Sequence, residues 1–194
     1  MKEQREENNE AMWNDFLSGD NEAFSSLYSE YVNLLFAYGM HFTTNEELIK
    51  DCVQDLFVRL YENRKRLTPV KNVKVYLYNS MKNALFNVFK KEVQYYQIDT
   101  IEPVFYTEFS PETRLIEAEK LHEQKKRIAQ MMELVTPRQR EVLHYRYVEE
   151  LSLDEICELM QMNYQSVRNL LHRTVLKIRS TNTDSSLSKI KRKK

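Results

Sequence analysis

The sequence predicts an all-α protein with two small helical domains joined by an extended linker. Its 194 residues include only two Gly and four Pro, so few positions suit the tight turns of β-hairpins. Apolar residues recur at the i, i+3, i+4, i+7 spacing of a helix face. This periodicity fails between residues 92 and 111, where two Pro and scattered aromatics stand among acids.

These patterns divide the chain into five parts. They are a disordered N-terminus (1–10), a first domain (11–91), a linker (92–111), a second domain (112–180) and a basic polar tail (181–194), which we also expect to be disordered.

Three helices are predicted in the first domain. The first begins at an N-cap, Asp20 or Asn21, carries a core stripe over 24–38 and ends near Gly39. The second spans about 46–62 and points Asp51, Gln54 and Asp55 outward. The third spans about 75–91, with an apolar face inward and a second face of polar and aromatic side chains outward. The inward set is Ile49, Cys52, Val53, Leu56, Phe57 and Leu60 in the second helix and Leu77, Met81, Leu85 and Val88 in the third; the third helix points Tyr78 outward.

The second domain has the spacing of a helix-turn-helix. A helix from Pro111 to about Leu134 is capped by Ser110, and a Thr136-Pro137 start opens another to about residue 148. A short helix (LDEICELM), a turn (QMN) and a helix over about 164–179 follow, with Asn163 as the N-cap of the last.

Charge is segregated along the chain although the net charge is zero. Residues 1–62, 63–91, 92–162 and 163–194 carry −9, +8, −7 and +8, which indicates two places that meet a polyanion and two faces that do not. No apolar run is long enough to span a membrane. We therefore expect a cytoplasmic protein without direct membrane insertion, in which Cys52 and Cys157 are two buried thiols and form no disulfide.

The outward side of the last helix has a composition typical of DNA recognition. Amide, hydroxyl and guanidinium groups near its N-terminus suit base edges, and basic groups further along suit phosphates. The alternative is a polar surface helix in a bundle. The outward residues are Gln165, Ser166, Arg168, Asn169, His172, Arg173 and Lys177.

Three segments together resemble the extracytoplasmic-function (ECF) group of sigma-70 family sigma factors of RNA polymerase. TPRQREVLHYRYVEELSLDEICELMQMNYQSVRNLLHRTVLKIR (136–179) is similar to sigma region 4. IKDCVQDLFVRLYENR (49–64) and VYLYNSMKNALFNVFKK (75–91) are similar to region 2. The chain departs from the family at Gln161, where Gly is common, so Gln161 must adopt a left-handed conformation or reshape the turn. Leu170 replaces a frequent Arg, and Tyr76 a frequent Trp.

The resemblance implies partners and roles. It implies that core RNA polymerase binds Asp51, Gln54 and Asp55 through a coiled-coil clamp, that the last helix reads the minus-35 element, and that the first domain holds the melted minus-10 strand. An anti-sigma factor is a further expected partner. Binding of the melted minus-10 strand needs a cationic surface with aromatic and amide groups. The residues that we expect to form it are Arg64, Lys65, Arg66, Lys71, Lys74, Lys82, Asn83, Phe86 and Asn87.

No catalytic constellation is recognisable. The four His are scattered, and two Gly cannot build a glycine-rich phosphate loop. We expect no catalytic residue, no metal, no cofactor and no small-molecule substrate. Two alternatives stay open: a helix-turn-helix regulator that is not a polymerase subunit, which leaves the region 2 pattern unexplained, and a metal-dependent nuclease using Asp51 and Asp55.

Overall fold

The chain forms two compact units, Met1–Val104 and Phe105–Lys194. The computed structural model describes residues 2–96 and 131–191, with side-chain burial for residues 7–91 and 131–180. Within these ranges the regular elements are helices and no strand occurs, which confirms the all-α prediction.

Four α-helices build the first unit, and side-chain caps fix the start of three of them. They are α1 (Lys2–Ser18), α2 (Asn21–Gly39), α3 (Glu46–Asn63) and α4 (Val73–Tyr96), with a 3₁₀ turn at Arg64–Arg66. Asp20 accepts from the backbone N–H of Glu22 at 2.7 Å, which confirms it as the cap of α2. Asn45 and Asn72 accept from backbone N–H groups in the first turns of α3 and α4.

Helix α1 overturns the prediction that residues 1–10 are disordered, because the helix begins at Lys2. Its aromatic side chains explain the difference. Trp13 and Phe16 are buried, and the Asn9 amide donates to the Tyr31 hydroxyl at 2.7 Å. The polar composition of the segment concealed a face that packs on the rest of the unit.

An aromatic core joins the helices of the first unit. All six residues predicted to face inward on α3 are buried. Tyr78, predicted to point outward from α4, is instead 1% exposed because its ring stacks on Tyr38 with centroids 4.1 Å apart. Leu77, Met81 and Leu85 are buried as predicted, whereas Val88 is half-buried and Phe89 takes the buried position.

Three helices follow in the described part of the second unit: α5 (Pro137–Tyr147), α6 (Leu153–Met160) and α7 (Tyr164–Lys191). Thr136 and Ser152 each form a reciprocal capping box, with Gln139 and Glu155. The predicted start of a helix at Ser110–Pro111 lies outside the described residues, and residues 131–133, near its predicted end, are helical.

Two predicted irregular segments are partly helical. α4 continues to Tyr96, five residues into the predicted linker, and the linker from residue 97 lies outside the described residues. α7 continues to Lys191, through most of the tail predicted to be disordered. Neither helix meets a helix-stopping residue in these stretches, since the first Pro after α4 begins is Pro103 and no Gly or Pro follows Tyr164.

Helix α2 ends at Gly39, as predicted. The position needs a glycine because of packing and not because of backbone conformation. A Cβ at this position would lie 2.7 Å from Ile49 Cγ2 and 3.1 Å from Met81 Cε. The three helices α2, α3 and α4 therefore approach each other more closely than any residue with a side chain permits.

We predict that Gly39→Ala destabilises the first unit by about 1–3 kcal/mol, because the added methyl group overpacks the contact with Ile49. Urea unfolding followed by Trp13 fluorescence measures this unit. In an Ile49→Ala background the closest contact, at 2.7 Å, is removed and only the flexible Met81 Cε at 3.1 Å remains. The same substitution is therefore expected to cost clearly less there, within about 1 kcal/mol of neutral. An equal loss in both backgrounds would contradict the packing explanation.

Candidate nucleic-acid interface

The turn between α6 and α7 is closed by backbone hydrogen bonds around a left-handed residue. Gln161 has φ 51° and ψ 46°, which settles the expectation in favour of the left-handed conformation. The N–H of Met162 donates to the Cys157 carbonyl at 3.1 Å, so the end of α6 is satisfied within the turn. Asn163 then accepts from the Ser166 N–H at 2.8 Å and caps α7. These bonds fix the angle at which α7 leaves the turn.

A small apolar contact holds the two helices together. Ile156 and Leu159 on α6 and Val167 on α7 are buried, as the helix-turn-helix pattern predicts. Met162, Leu170 and Leu171 are half-buried. Thr174 was missed: it is buried, and its hydroxyl donates to the Leu170 carbonyl at 2.6 Å.

The opposite side of α7 is exposed, as predicted. Gln165 donates through its amide to Asn169 at 3.1 Å, so these two side chains form one polar surface near the start of the helix. Ser166 is half-buried. The exposed members of the predicted set are Gln165, Arg168, Asn169, His172, Arg173 and Lys177.

A second group of polar contacts, not predicted from the sequence, fixes the loop between α5 and α6. Buried His144 lies 3.1 Å from Glu149, and Arg146 donates to the Leu151 carbonyl at 2.8 Å. Glu150 between them has a positive φ of 54°. His144 and Glu149 are five positions apart and give no recognisable motif.

The acidic group on α3 is exposed where the sequence placed it. Asp51, Gln54 and Asp55 all face outward. Asp55 lies 3.8 Å from Arg59, and both side chains are about 70% exposed, so this pair contributes little to stability. Two further carboxylates, Glu47 and Glu46 at the start of α3, raise the pKa of Lys50 by hydrogen bonding and charge.

An apolar groove of about 790 Å³ runs beside this acidic group, between α2 and α3. Gln54 belongs both to the acidic group and to the groove wall. The exposed apolar side chains that line the groove include Tyr28, Val58 and Tyr61. The acceptor groups on α3 therefore border a hydrophobic surface, a combination found at protein–protein interfaces.

A second groove, of about 780 Å³, lies between α3 and α4 and brings Asn83 and Asn87 together. Asp55, which the resemblance assigns to polymerase binding, also lines this groove. The sequence did not predict the other polar lining residues, although the helix-face spacing of Tyr76, Ser80, Asn83 and Asn87 was a readable signal. The additional polar and aromatic lining residues are Asp55, Arg59, Asn63, Tyr76, Ser80, Lys90 and Lys91.

The other predicted strand-binding residues lie outside this groove. The Lys74 and Lys82 ammonium groups sit 5.5 and 5.6 Å from the ring centroids of Tyr78 and Phe86. Phe86 also packs edge-on against Phe42, with centroids 5.7 Å apart, which leaves it half-buried. Arg64 lies over the Tyr61 ring, whereas Lys65, Arg66 and Lys71 are exposed.

Both cysteines are free, as expected; Cys52 is buried and Cys157 half-buried. Burial raises the pKa of each thiol above its ordinary value. Among the described residues no group of three or more His, Cys, Asp or Glu is arranged to hold a metal ion. Over the same residues no helix is both long and apolar enough to cross a bilayer.

Comparison with known proteins gives consistent results for both units. Residues 27–94 match the family model of Sigma-70 region 2, and residues 125–178 match that of Sigma-70, region 4; together they span more than half of the chain. The chain is 25% identical over 170 residues to the RNA polymerase sigma factor YlaC of Bacillus subtilis (strain 168), covering 84% of this chain and 94% of the relative.

Two solved structures share the fold. One is CnrH in complex with the cytosolic domain of CnrY, with 18% identity, a TM-score of 0.58 and coverage of 91% of this chain and 97% of that chain. The other is the sigma factor RpoE in complex with the anti-sigma factor NepR from Bartonella quintana, with 14% identity, a TM-score of 0.56 and coverage of 81% and 94%.

We predict that Gln161→Gly stabilises the second unit by about 1 kcal/mol, because Gly has no Cβ to oppose the left-handed conformation. Hydrogen exchange at the amides of α6 and α7, measured by mass spectrometry, reports on this unit. Gln161→Ala is the control, since it retains a Cβ and gains nothing. Equal protection in the Gly and Ala variants would show that the turn stores no such strain.

Proposed function

The chain belongs to the ECF group of the sigma-70 family of RNA polymerase sigma factors, and we propose that its exposed surfaces divide the work of promoter recognition between the two units. The observation that carries the proposal is the presence, in one chain, of a helix-turn-helix with an exposed polar face and a separate unit with an amide and cationic groove beside an acidic helix.

We assign the minus-35 element to α7. Its six exposed residues start at the capped N-terminus, where Gln165 and Arg168 present groups that can hydrogen-bond to base edges in the major groove. Arg173 and Lys177 follow further along, at the spacing of phosphate contacts. The turn at Gln161 and the cap at Asn163 hold this helix in one orientation, which is the preorganisation that base readout needs.

We assign the minus-10 strand to the first unit. Residues 63–91 carry eight cationic and no acidic side chains, which attracts the backbone of a single strand. Asn83 and Asn87 lie in the groove between α3 and α4 and can hydrogen-bond to an unstacked base. The exposed basic residues 65, 66 and 71 stand on the segment before α4, while Arg64, Lys74, Lys82 and Phe86 support its flanks.

We assign the polymerase clamp to Asp51, Gln54 and Asp55. These three side chains project from one exposed stretch of α3 and offer only hydrogen-bond acceptors, apart from the Gln54 amide. The neighbouring apolar groove supplies surface that a partner can bury. Charged acceptors beside a hydrophobic groove suit a basic, partly apolar partner helix.

An anti-sigma factor is the further partner that we propose. Two structures with the same fold are complexes, one of a sigma factor with an anti-sigma factor and one of CnrH with the cytosolic domain of CnrY. The apolar groove of the first unit, with exposed Tyr28, Val58 and Tyr61, is a surface that such an inhibitor can cover. We place the protein in the cytoplasm, where the polymerase and its DNA are found.

We also propose that the chain has no catalytic activity of its own. Sigma factors generally act as initiation factors without catalysis. Asp51 and Asp55, which a metal-dependent nuclease would use, are exposed on one helix face, and Asp55 faces Arg59. A metal site of two carboxylates on one exposed face lacks the additional ligands that fix a catalytic ion.

The clamp assignment predicts that Asp51→Asn combined with Asp55→Asn weakens binding to core polymerase by at least about 2 kcal/mol, roughly 30-fold in Kd. The substitutions preserve shape and remove two charges from a charge-assisted interface. Fluorescence anisotropy of the labelled protein with purified core polymerase measures the affinity.

The matched control is Glu46→Gln with Glu47→Gln, which removes two carboxylates from the first turn of the same helix. We expect this control to bind within about threefold of the parent. Parent-like binding of the Asp51/Asp55 variant would refute the clamp assignment. An equal loss of core-polymerase affinity in both variants would mean that binding depends on the overall negative charge of the helix and not on a specific contact of Asp51 and Asp55.

The division of labour predicts two separable classes of variant on a promoter selected from a library with randomised upstream and minus-10 elements. Arg168→Ala relaxes preference at one upstream position by about 1–3 kcal/mol, whereas Lys177→Ala weakens binding on all sequences and lowers the salt slope by about one. Asn83→Ala leaves upstream binding intact and reduces strand opening, measured by permanganate reactivity of unpaired thymines.

Asn33→Ala, which removes an exposed amide from α2, is the control for Asn83. Two results together would mean that the minus-10 and minus-35 assignments are reversed. Asn83→Ala would open the promoter normally, and Arg168→Ala would lose opening while its upstream binding stays intact.

A further inference from the structure

The basic segment between α3 and α4, residues 64–72, is hydrogen-bonded to α1 through the buried indole of Trp13. Trp13 is 1% exposed, and its Nε1 donates to the backbone carbonyl of Thr68 at 3.2 Å. The two residues are 55 positions apart, so the bond is a tertiary contact. Within the described residues it is the one hydrogen bond that reaches positions 68–71.

The middle of this segment has no regular structure to hold it. Residues 67–72 lie between the 3₁₀ turn and α4. Leu67 donates to Arg64 at one end, and Asn72 caps α4 at the other. Pro69 restricts its own backbone and that of Thr68 but donates no hydrogen bond. Trp13 therefore supplies the tertiary anchor between two locally fixed ends.

On one flank of the segment Trp13 makes a second contact, and on the other flank the turn after α1 lies close to Arg64. The Trp13 ring packs edge-on against Tyr76, with centroids 5.1 Å apart, and Tyr76 lines the groove that holds Asn83. On the other flank, a Cβ at Gly19 would lie 3.6 Å from Arg64 Nη2. The Arg64 guanidinium also lies over the Tyr61 ring.

The anchor acts on the backbone and leaves the side chains of the segment available. Lys65, Arg66, Thr68 and Lys71 are exposed, whereas Trp13 is buried beneath them. Trp13 therefore has no access to DNA. Its influence on a bound strand passes through the position of the Thr68 carbonyl and of the cationic side chains on either side.

We propose that Trp13 is a positioning residue for promoter opening, whose indole N–H holds the segment 64–72 in the shape that receives the unpaired minus-10 strand. This proposal rests on the assignment of the minus-10 strand to the first unit. A segment that is ordered before binding loses less conformational entropy when the strand binds. Thr68 lies at an exposed position, so without the bond water can reach its carbonyl. We therefore expect loss of the bond to disorder the segment more than it destabilises the fold.

Trp13→Phe tests the proposal, because it keeps a buried aromatic ring and removes the N–H. In holoenzyme on the library-selected promoter, we expect strand opening to fall roughly three- to tenfold, the range that corresponds to one net hydrogen bond. Core affinity and upstream binding are expected to stay unchanged. Selection from the same library with the variant is expected to show relaxed base preference in the minus-10 element and an unchanged upstream element.

Phe16→Leu is the matched control. Phe16 is another buried aromatic of α1, in contact with Trp13 and Phe24, and it packs in the core without a bond to the segment. We expect this variant to lose thermal stability while its opening per bound complex stays within about twofold of the parent. If both variants lose opening in proportion to their loss of stability, Trp13 is only structural and the proposal is overturned.

The parent protein offers a spectroscopic readout, since Trp13 is the one Trp in the sequence. We expect its emission to stay that of a buried indole when the isolated protein binds an oligonucleotide with the minus-10 sequence of the non-template strand, because the segment already has its binding shape. The measurement is made at concentrations where anisotropy of the labelled strand shows binding. The template-strand oligonucleotide is the control. A red shift of the emission on binding of the non-template strand would show that the Trp13 anchor is released by the strand, which would overturn the proposal.

A second variant keeps the proposal testable if Trp13→Phe fails to fold. Pro69→Gly loosens the same segment at an exposed position and leaves the core intact. It is expected to reproduce the opening defect and the relaxed minus-10 preference. If Asn83→Ala is impaired, normal opening in Pro69→Gly overturns the proposal where Trp13→Phe does not fold, and normal opening in both variants overturns it where Trp13→Phe folds. If Asn83→Ala also opens normally, the minus-10 assignment itself is overturned.

Discussion

The close approach of α2, α3 and α4 at Gly39 is the packing constraint on which the first unit depends. There is no room for a side chain at this point, because a Cβ would meet Ile49 at 2.7 Å. The approach directs the apolar faces of α3 and α4 into one aromatic core. Their polar faces are consequently turned outward on either side of a groove, with Asp55 and Arg59 on one wall and the amides of α4 on the other.

In the described part of the second unit, residues 131–191, local hydrogen bonds fix the ends of the helices. Two capping boxes, an Asn cap and one left-handed residue determine where α5, α6 and α7 begin and how α7 leaves the turn. Few apolar side chains then suffice to hold α6 against α7. A recognition helix needs a fixed orientation, and short-range bonds provide it in a small domain.

Opposite charges on neighbouring faces explain how a chain of zero net charge serves both a protein and DNA. The start and outward face of α3 are acidic, whereas the segment that follows it is basic. Aromatic rings hold part of that positive charge in place, since Lys74 lies over Tyr78 and Lys82 over Phe86. Exposed Lys65, Arg66 and Lys71 keep the freedom to follow a nucleic-acid backbone.

The sequence by itself determined the all-α class, the family, the cap at Asn163 and the inward face of α3, and it narrowed the cap of α2 to Asp20 or Asn21. These features depend on composition, on helical periodicity and on neighbours within one turn. It did not determine that Trp13 reaches Thr68 or that Tyr78 stacks on Tyr38. It also did not place Arg59 and Tyr76 in one groove with Asn83. Those arrangements join residues far apart in the chain, and the side on which an aromatic or amide lies follows from the helix packed against it, which only the tertiary structure decides.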